Sequence, residues 1–276
     1  MASDTLRILC FGAHPDDCDF RLGGLALKYA DAGHAVCFVS LTNGDAGHHR
    51  EGGGPLARRR YAEAQAAAAI AGIRYEVVDH PDGTLEPTLP MRLRVIERIR
   101  TFRPDLVLCH RANDYHPDHR AVGVLVQDAI YNVTVPNIAP LTPHLREAPV
   151  LGYMFDTFTE PTPYQATVAV DTDDVLERKL DMLACHESQV YEWLPYNFGT
   201  AETLPADASA RRAWLAEWCT AWFADMADAA RDSLRTFYGA EHGSQVRTAE
   251  TVAVSEYGTP LNEESIPRLF PFLPRR

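Results

Sequence analysis

Through residue 140, short apolar runs alternate with longer stretches whose apolar positions recur at helical spacing. The runs at 6–12, 35–41, 75–78 and 106–109 predict strands. The stretches at 20–32, 56–71, 89–102 and 119–131 predict helices, with stops at Gly33, Gly72 and Arg103-Pro104. The glycine-rich stretch 43–55 predicts a mobile loop. Such strand–helix alternation calls for an α/β fold, a doubly wound, mostly parallel sheet with helices on both faces.

In a doubly wound sheet the strand order reverses near the first strand, so the first and fourth strands can lie side by side. Ligands bind in the crevice at their carboxyl ends. "AHPDD" (13–17) follows the first strand, and "HRANDYHPDHR" (110–120) follows the fourth. The two most polar clusters of the chain are therefore expected to meet.

After residue 140 the pattern loosens. Residues 150–155 and 167–170 predict strands, and 172–186 predicts a helix capped by Thr172, Asp173 or Asp174. Residues 206–236 predict one long helix with Trp214, Trp218, Trp222 and Met226 in an i, i+4 row, expected as core or subunit interface. The chain is expected to form a single domain over 1–276. Residues 1–140 would be the core with the site, and 141–276 a helical and strand extension with a lid and the long helix.

The 276 residues and 46% hydrophobic content suffice for one large α/β domain. The formal net charge of −12 and the lack of a basic run argue against nucleic acid. The acidic face of the 206–236 helix argues against a membrane surface. Of the 26 basic residues only Lys28 and Lys179 are lysines, which reads as genome composition. The six cysteines form no CxxC pair and predict reduced thiols in a cytoplasmic protein. Neither a signal peptide nor a membrane-spanning run is visible. The tryptophan helix makes a homo-oligomer plausible.

His14 and Asp17 are three residues apart, as are His116 and His119. On a turn or helix start that spacing puts side chains on one side. Zinc sites that do chemistry use three protein ligands and keep one position open. His14, Asp17 and His119 would make such a set, leaving Asp16 as a free carboxylate beside activated water. Taken singly, "HPDD" reads as a helix N-cap and "HPDH" as a polar loop. Taken together at the ends of adjoining strands, they read as a metal site. Zinc and iron(II) both accept two histidines and one carboxylate. His110 is expected to pack behind the site. Arg60 and Glu63, three apart on one helix, are expected to form a local ion pair.

"GAHPDDCDFRLGG" and "DYHPDHRAVG" resemble the PIG-L/LmbE-like family of zinc-dependent N-acetylglucosaminyl deacetylases. The resemblance extends to Arg60 and Glu63, to "HPDGTL" at 80–85, "LACHESQ" at 183–189 and "AETVAVSEYG" near the end. It implies a Rossmann-like fold and one zinc per chain on His14, Asp17 and His119. It implies Asp16 as general base, and His116 beside the acyl oxygen with Asp118 orienting its imidazole. Two positions depart from the family pattern. Cys18 stands where glutamate is usual, and Asp114 stands where some members carry a tyrosine, so Tyr115 receives no role.

The expected reaction removes an N-acetyl group from an N-acetylglucosamine-type sugar or conjugate. Asp16 takes a proton from water while a protonated His116 steadies the oxyanion. Asp19, Arg50, Arg58, Asp82 and Asn113 are candidates for holding sugar hydroxyls, and Tyr191, Trp193 and Tyr196 for a stacking surface or lid. The alternatives are an amidase acting on a larger acyl group and a non-catalytic Rossmann-type binding protein. Gly12, Gly23 and Gly24 lack the dinucleotide spacing that the latter would need.

Overall fold

In the computed structural model, which describes residues 5–274, the strands form one seven-stranded sheet. The first half runs β1 (Arg7–Gly12), α1 (Asp17–Asp31), β2 (Ala35–Ser40), α2 (Gly53–Ala71), β3 (Arg74–Val77), α3 (Leu89–Phe102), β4 (Leu106–Cys109) and α4 (Pro117–Asn132). Each element matches a predicted one. The helices stop where the chain takes a left-handed turn, at Gly72 after α2 and at Arg103 before Pro104 after α3.

The second half runs β5 (Val150–Met154), β6 (Val168–Asp171), α5 (Leu176–Ala184), α6 (Leu194–Asn197), α7 (Ala208–Ala229), α8 (Arg231–Tyr238), α9 (Ala240–Gln245), β7 (Ala249–Gly258) and α10 (Ser265–Leu269). The strand order is β3-β2-β1-β4-β5-β7-β6. The five strands β1 to β5 are parallel, and β7 inserts antiparallel between β5 and β6. The strand β7 is absent from the predicted elements. Its Glu250 and Thr251 are fully buried polar residues that break the apolar pattern.

Alternation along β1 builds the core on both faces. Ile8 and Cys10 pack with Leu22, Leu25 and Ala64 of α1 and α2. Leu9 and Phe11 pack with Val95, Ile99, Val122 and Val126 of α3 and α4. Each fully buried leucine, isoleucine, valine or phenylalanine among them contributes roughly 1.5–3 kcal/mol.

The predicted long helix is two, α7 and α8, broken at Ala230. Its fully buried row is Leu215, Cys219, Phe223 and Met226. Trp214, Trp218 and Trp222 flank that row half-buried, packed within the chain. The 43–55 stretch, expected to be mobile, is tied down. Asn43 Nδ2 donates to Asp79 at 3.0 Å, Gly53 N to Asp45 O at 2.8 Å, and Gln189 Nε2 to Gly47 O at 3.1 Å. Among the described residues, no helix is long and apolar enough to cross a membrane.

Candidate active site

Strands β1 and β4 pair directly, Ile8 with Leu106 through Phe11 with Cys109, so the loops that follow them share one crevice. Three donors converge there. His14 Nδ1 and His119 Nε2 are 3.3 Å apart, His119 Nε2 and Asp17 Oδ1 3.3 Å, and His14 Nδ1 and Asp17 Oδ2 3.5 Å. Ligand atoms about 2.0–2.1 Å from a tetrahedral ion stand about 3.4 Å from each other, so each of these three separations suits a zinc-sized cation, with Asp17 meeting His119 through Oδ1 and His14 through Oδ2.

Local geometry aims each donor. Asp17 Oδ2 accepts the Ala13 and His14 amides at 2.8 Å and lies 3.2 Å from His110 Nε2, which turns Oδ1 toward His119. Gly12 permits that fold-back, since a Cβ there would sit 2.9 Å from Asp17 Cβ. His119 Nδ1 lies 3.0 Å from Asp114 Oδ1, and His14 Nε2 lies 3.0 Å from Asp82 Oδ1. Carboxylates behind ligating imidazoles fix their orientation and raise their basicity. His110, His116, Asp82 and Asp118 also bring donor atoms within 4.8 Å of this group, so the crevice is rich in alternative ligands.

The field at His119 favours positive charge. Burial alone would lower the pKa of His119, but Asp17 and Asp114 outweigh it and raise it to about 9. His110, equally buried and beside His119, is pushed down to about 4. Burial opposes ionisation of Asp17 as well, yet His119 and His110 hold it well below the usual carboxylate range.

Asp16 stands beside the triangle. Its Oδ1 accepts from Arg60 Nη2 at 3.0 Å, and both side chains are buried. Burial raises the Asp16 pKa against the opposing pull of Arg60, and neighbouring Asp17 adds to the rise. Arg60 also donates to Gly44 O at 3.2 Å. A side chain on Gly44, at φ +69°, would overlap the guanidinium. The expected Arg60–Glu63 pair does not form. Glu63 instead accepts from Ser188 N at 2.8 Å and Ser188 Oγ at 2.6 Å.

His116 caps α4, its Nδ1 accepting the Asp118 amide at 3.2 Å, which leaves the ring proton on Nε2. Burial first, then His14 and His119, lower its pKa, which favours the neutral ring over the expected imidazolium. The Asp118 carboxylate does not orient this ring. It accepts from Gly83 N at 2.7 Å and Leu85 N at 3.1 Å and so holds the 80–85 turn. The sequence carried no sign of this, because both partners are backbone amides.

A cavity of about 820 Å³ opens over the donors. Asp82 lines it. The other sugar-binding candidates do not. Asp19 is fully buried 3.3 Å from His186 Nε2, Asn113 donates to Glu160 O at 2.6 Å, Arg50 is exposed outside the lining, and Arg58 borders a separate hollow. Of the aromatic cluster, Trp193 lines the cavity while Tyr196 stacks on His49. Arg21, Phe158, Phe198 and Trp222 line it without having been predicted to. Cys18 is a core thiol whose pKa burial pushes well up, and no ligand.

The family described as PIG-L, GlcNAc-PI de-N-acetylase, matches residues 9–130. A diacetylchitobiose deacetylase from Thermococcus kodakarensis is 34% identical over 211 residues, covering 70% of this chain and 76% of the relative. A 4-oxalmesaconate hydratase from Pseudomonas putida is 27% identical over 197 residues, covering 68% and 76%. Among solved structures, an N,N'-diacetylchitobiose deacetylase from Pyrococcus horikoshii superposes with TM-score 0.68 at 22% identity, over 91% of this chain and 84% of that one. The 4-carboxy-2-hydroxymuconate hydratase of Pseudomonas putida superposes with TM-score 0.70 at 21% identity, over 93% and 99%.

Proposed function

The chain belongs to the PIG-L family of de-N-acetylases, and from that premise we propose that it is a zinc enzyme removing the acetyl group of an N-acetylglucosamine-type sugar. His14, Asp17 and His119 would hold the ion. When bound, it supplies Lewis-acid activation of water and of the acyl oxygen.

The remaining steps belong to the chain's own groups. Asp16, outside the donor triangle and steadied by Arg60, accepts the proton of the attacking water. The Nε2–H of His116 donates to the acyl oxygen as charge builds on it. As the C–N bond breaks, the proton on Asp16 passes to the leaving nitrogen. The products are acetate and a free amine.

The observation that carries this reading is the division of labour within "AHPDD". Asp17 turns into the triangle, while Asp16 is buried beside it and free to exchange a proton. Five carboxylates line the cavity, against Arg21 and an Arg60 already engaged with Asp16. That balance suits a neutral sugar better than the oxo-acid anions for which the hydratase relatives are named. The reducing cytoplasm suits six free cysteines, of which five are buried.

The test is acetate release from N,N'-diacetylchitobiose by the zinc-loaded protein, with Asp16→Asn as control and metal content measured on both. No acetate from the loaded parent protein would reject the reading.

A further inference from the structure

Asp16 stands at the start of α1 and Arg60 on α2, and the two meet at 3.0 Å. Three residues further along each helix is a second buried acid, Asp19 on α1 and Glu63 on α2. Neither lines the cavity. Both turn instead to one segment, residues 186–192, which follows α5. His186 Nε2 lies 3.3 Å from Asp19 Oδ2. Glu63 accepts from the Ser188 amide at 2.8 Å and from Ser188 Oγ at 2.6 Å. The segment holds α2 a second time through Glu192, which accepts from Arg59 Nη1 at 3.1 Å. Its backbone widens into a π turn over Ser188–Trp193, a rare geometry that recurs at functional sites.

Asp19 and His186 are fully buried, and among the described residues no hydrogen bond of good geometry reaches the carboxylate of one or the ring nitrogens of the other. Burial lowers the His186 pKa, but Asp19, and after it Asp16 and Glu63, outweigh burial and raise it, so the ring stands among three carboxylates. A sealed ion pair is poor glue, because apolar side chains of equal volume often stabilise as well or better. What it supplies is register, since a buried charge tolerates only the placement that keeps its partner near. We propose that His186 and Ser188 are positioning residues that hold the starts of α1 and α2 at the separation where Arg60 meets Asp16. Neither lines the cavity, so both act through that pair. What the pair does rests on the deacetylase reading, and how it is held does not.

The test reads the pair twice, on zinc-loaded protein. Urea unfolding of the parent, Asp16→Asn, Arg60→Met and the double variant gives the coupling between Asp16 and Arg60. On His186→Leu and on Ser188→Ala that coupling is expected to fall by at least about half, and His186→Gln, which can still donate to Asp19, should keep most of it. Ser188→Ala decides if His186→Leu does not fold. In acetate release from N,N'-diacetylchitobiose, His186→Leu and Ser188→Ala should each lower kcat at least about fivefold with KM within about twofold. Both should change kcat by less than about twofold once Arg60 is methionine. An undiminished coupling, or kcat losses that multiply with that of Arg60→Met, would overturn the proposal. Multiplying losses in Ser188→Ala would mean that it acts through Gln189, whose Nε2 donates to Ser188 Oγ at 3.0 Å. If no form releases acetate while the coupling falls as expected, the deacetylase reading fails and the clamp stands.

Discussion

Arg60 reaches from α2 to place Nη2 3.0 Å from Asp16 Oδ1, inside a crevice where both side chains are buried. The guanidinium lowers the Asp16 pKa against burial, which raises it. Asp16 works as a base only when deprotonated, so activity falls as pH drops through its pKa. Removing the cation lets that pKa rise. Arg60→Met should therefore shift the acid limb of kcat/KM to higher pH, as read from pH–rate profiles of parent and variant. A limb that stays in place or moves down would detach Arg60 from the base.

Asp16→Asn keeps the shape and removes the proton acceptor. It should retain its metal, because Asp16 stands outside the donor triangle, and lose about 10²–10⁴ in kcat. Metal analysis and single-turnover acetate release decide this together. Loss of the ion with the activity would make Asp16 a ligand.

His14→Ala and His119→Ala should each release the ion, as metal analysis after gel filtration will show. Asp114→Asn leaves all three ligands and removes only the carboxylate behind His119 Nδ1, 3.0 Å away. Its affinity for zinc in chelator competition should fall by about 10–100-fold.

Asp118 and His116 should separate. The carboxylate of Asp118 serves the Gly83 and Leu85 amides, so Asp118→Ala should cost ~1–3 kcal/mol in urea unfolding. His116→Ala should cost the ~0.5–2 kcal/mol of a lost helix cap and lower kcat by about 10²-fold or more. A kcat loss in Asp118→Ala without a stability loss would mean that its carboxylate acts on an imidazole of the site, His14 Nε2 lying 3.5 Å from it.

Arg100 is 2% exposed and makes no salt bridge among the described residues. Its guanidinium donates to the carbonyls of Asn132, Val133, Val135, Ile138, Ala139 and Thr142, gathering the whole 132–142 loop. Arg100→Met strands those carbonyls and should cost ~3 kcal/mol or more. None of them lines the cavity, so kcat/KM measured well below the melting temperature should not change.

The donor triangle was legible because its two motifs each follow an apolar strand, and a doubly wound sheet seats those strands together. The supporting contacts were not. Arg60 and Glu63 sit three apart on one helix, a spacing that suggests a local pair. Arg60 instead meets Asp16 from the β1–α1 loop, while Glu63 meets Ser188 and, at 3.2 Å, its own helix neighbour Arg59. The strand β7 hid for a similar reason. Its Glu250 is buried because Lys179 lies 2.8 Å away and the Gly24 and Leu25 amides donate to it. No periodicity announces such a partnership. The tryptophan row misled by one residue. Indoles are large enough to reach the core and still face outward, and Trp222 uses that reach to form the cavity wall.

The pairing of β1 with β4 also sets a timetable. His14 leaves the ribosome 105 residues ahead of His119, a delay of roughly 5–20 s at about 5–20 residues per second. Until β4 docks against β1, His14 and Asp17 hold only part of a coordination sphere. An ion held by these residues would therefore be captured late, by a half-sheet already assembled, and would stabilise only chains that have reached that stage. Metal supply would act on this protein as a check on completed folding as well as on catalysis.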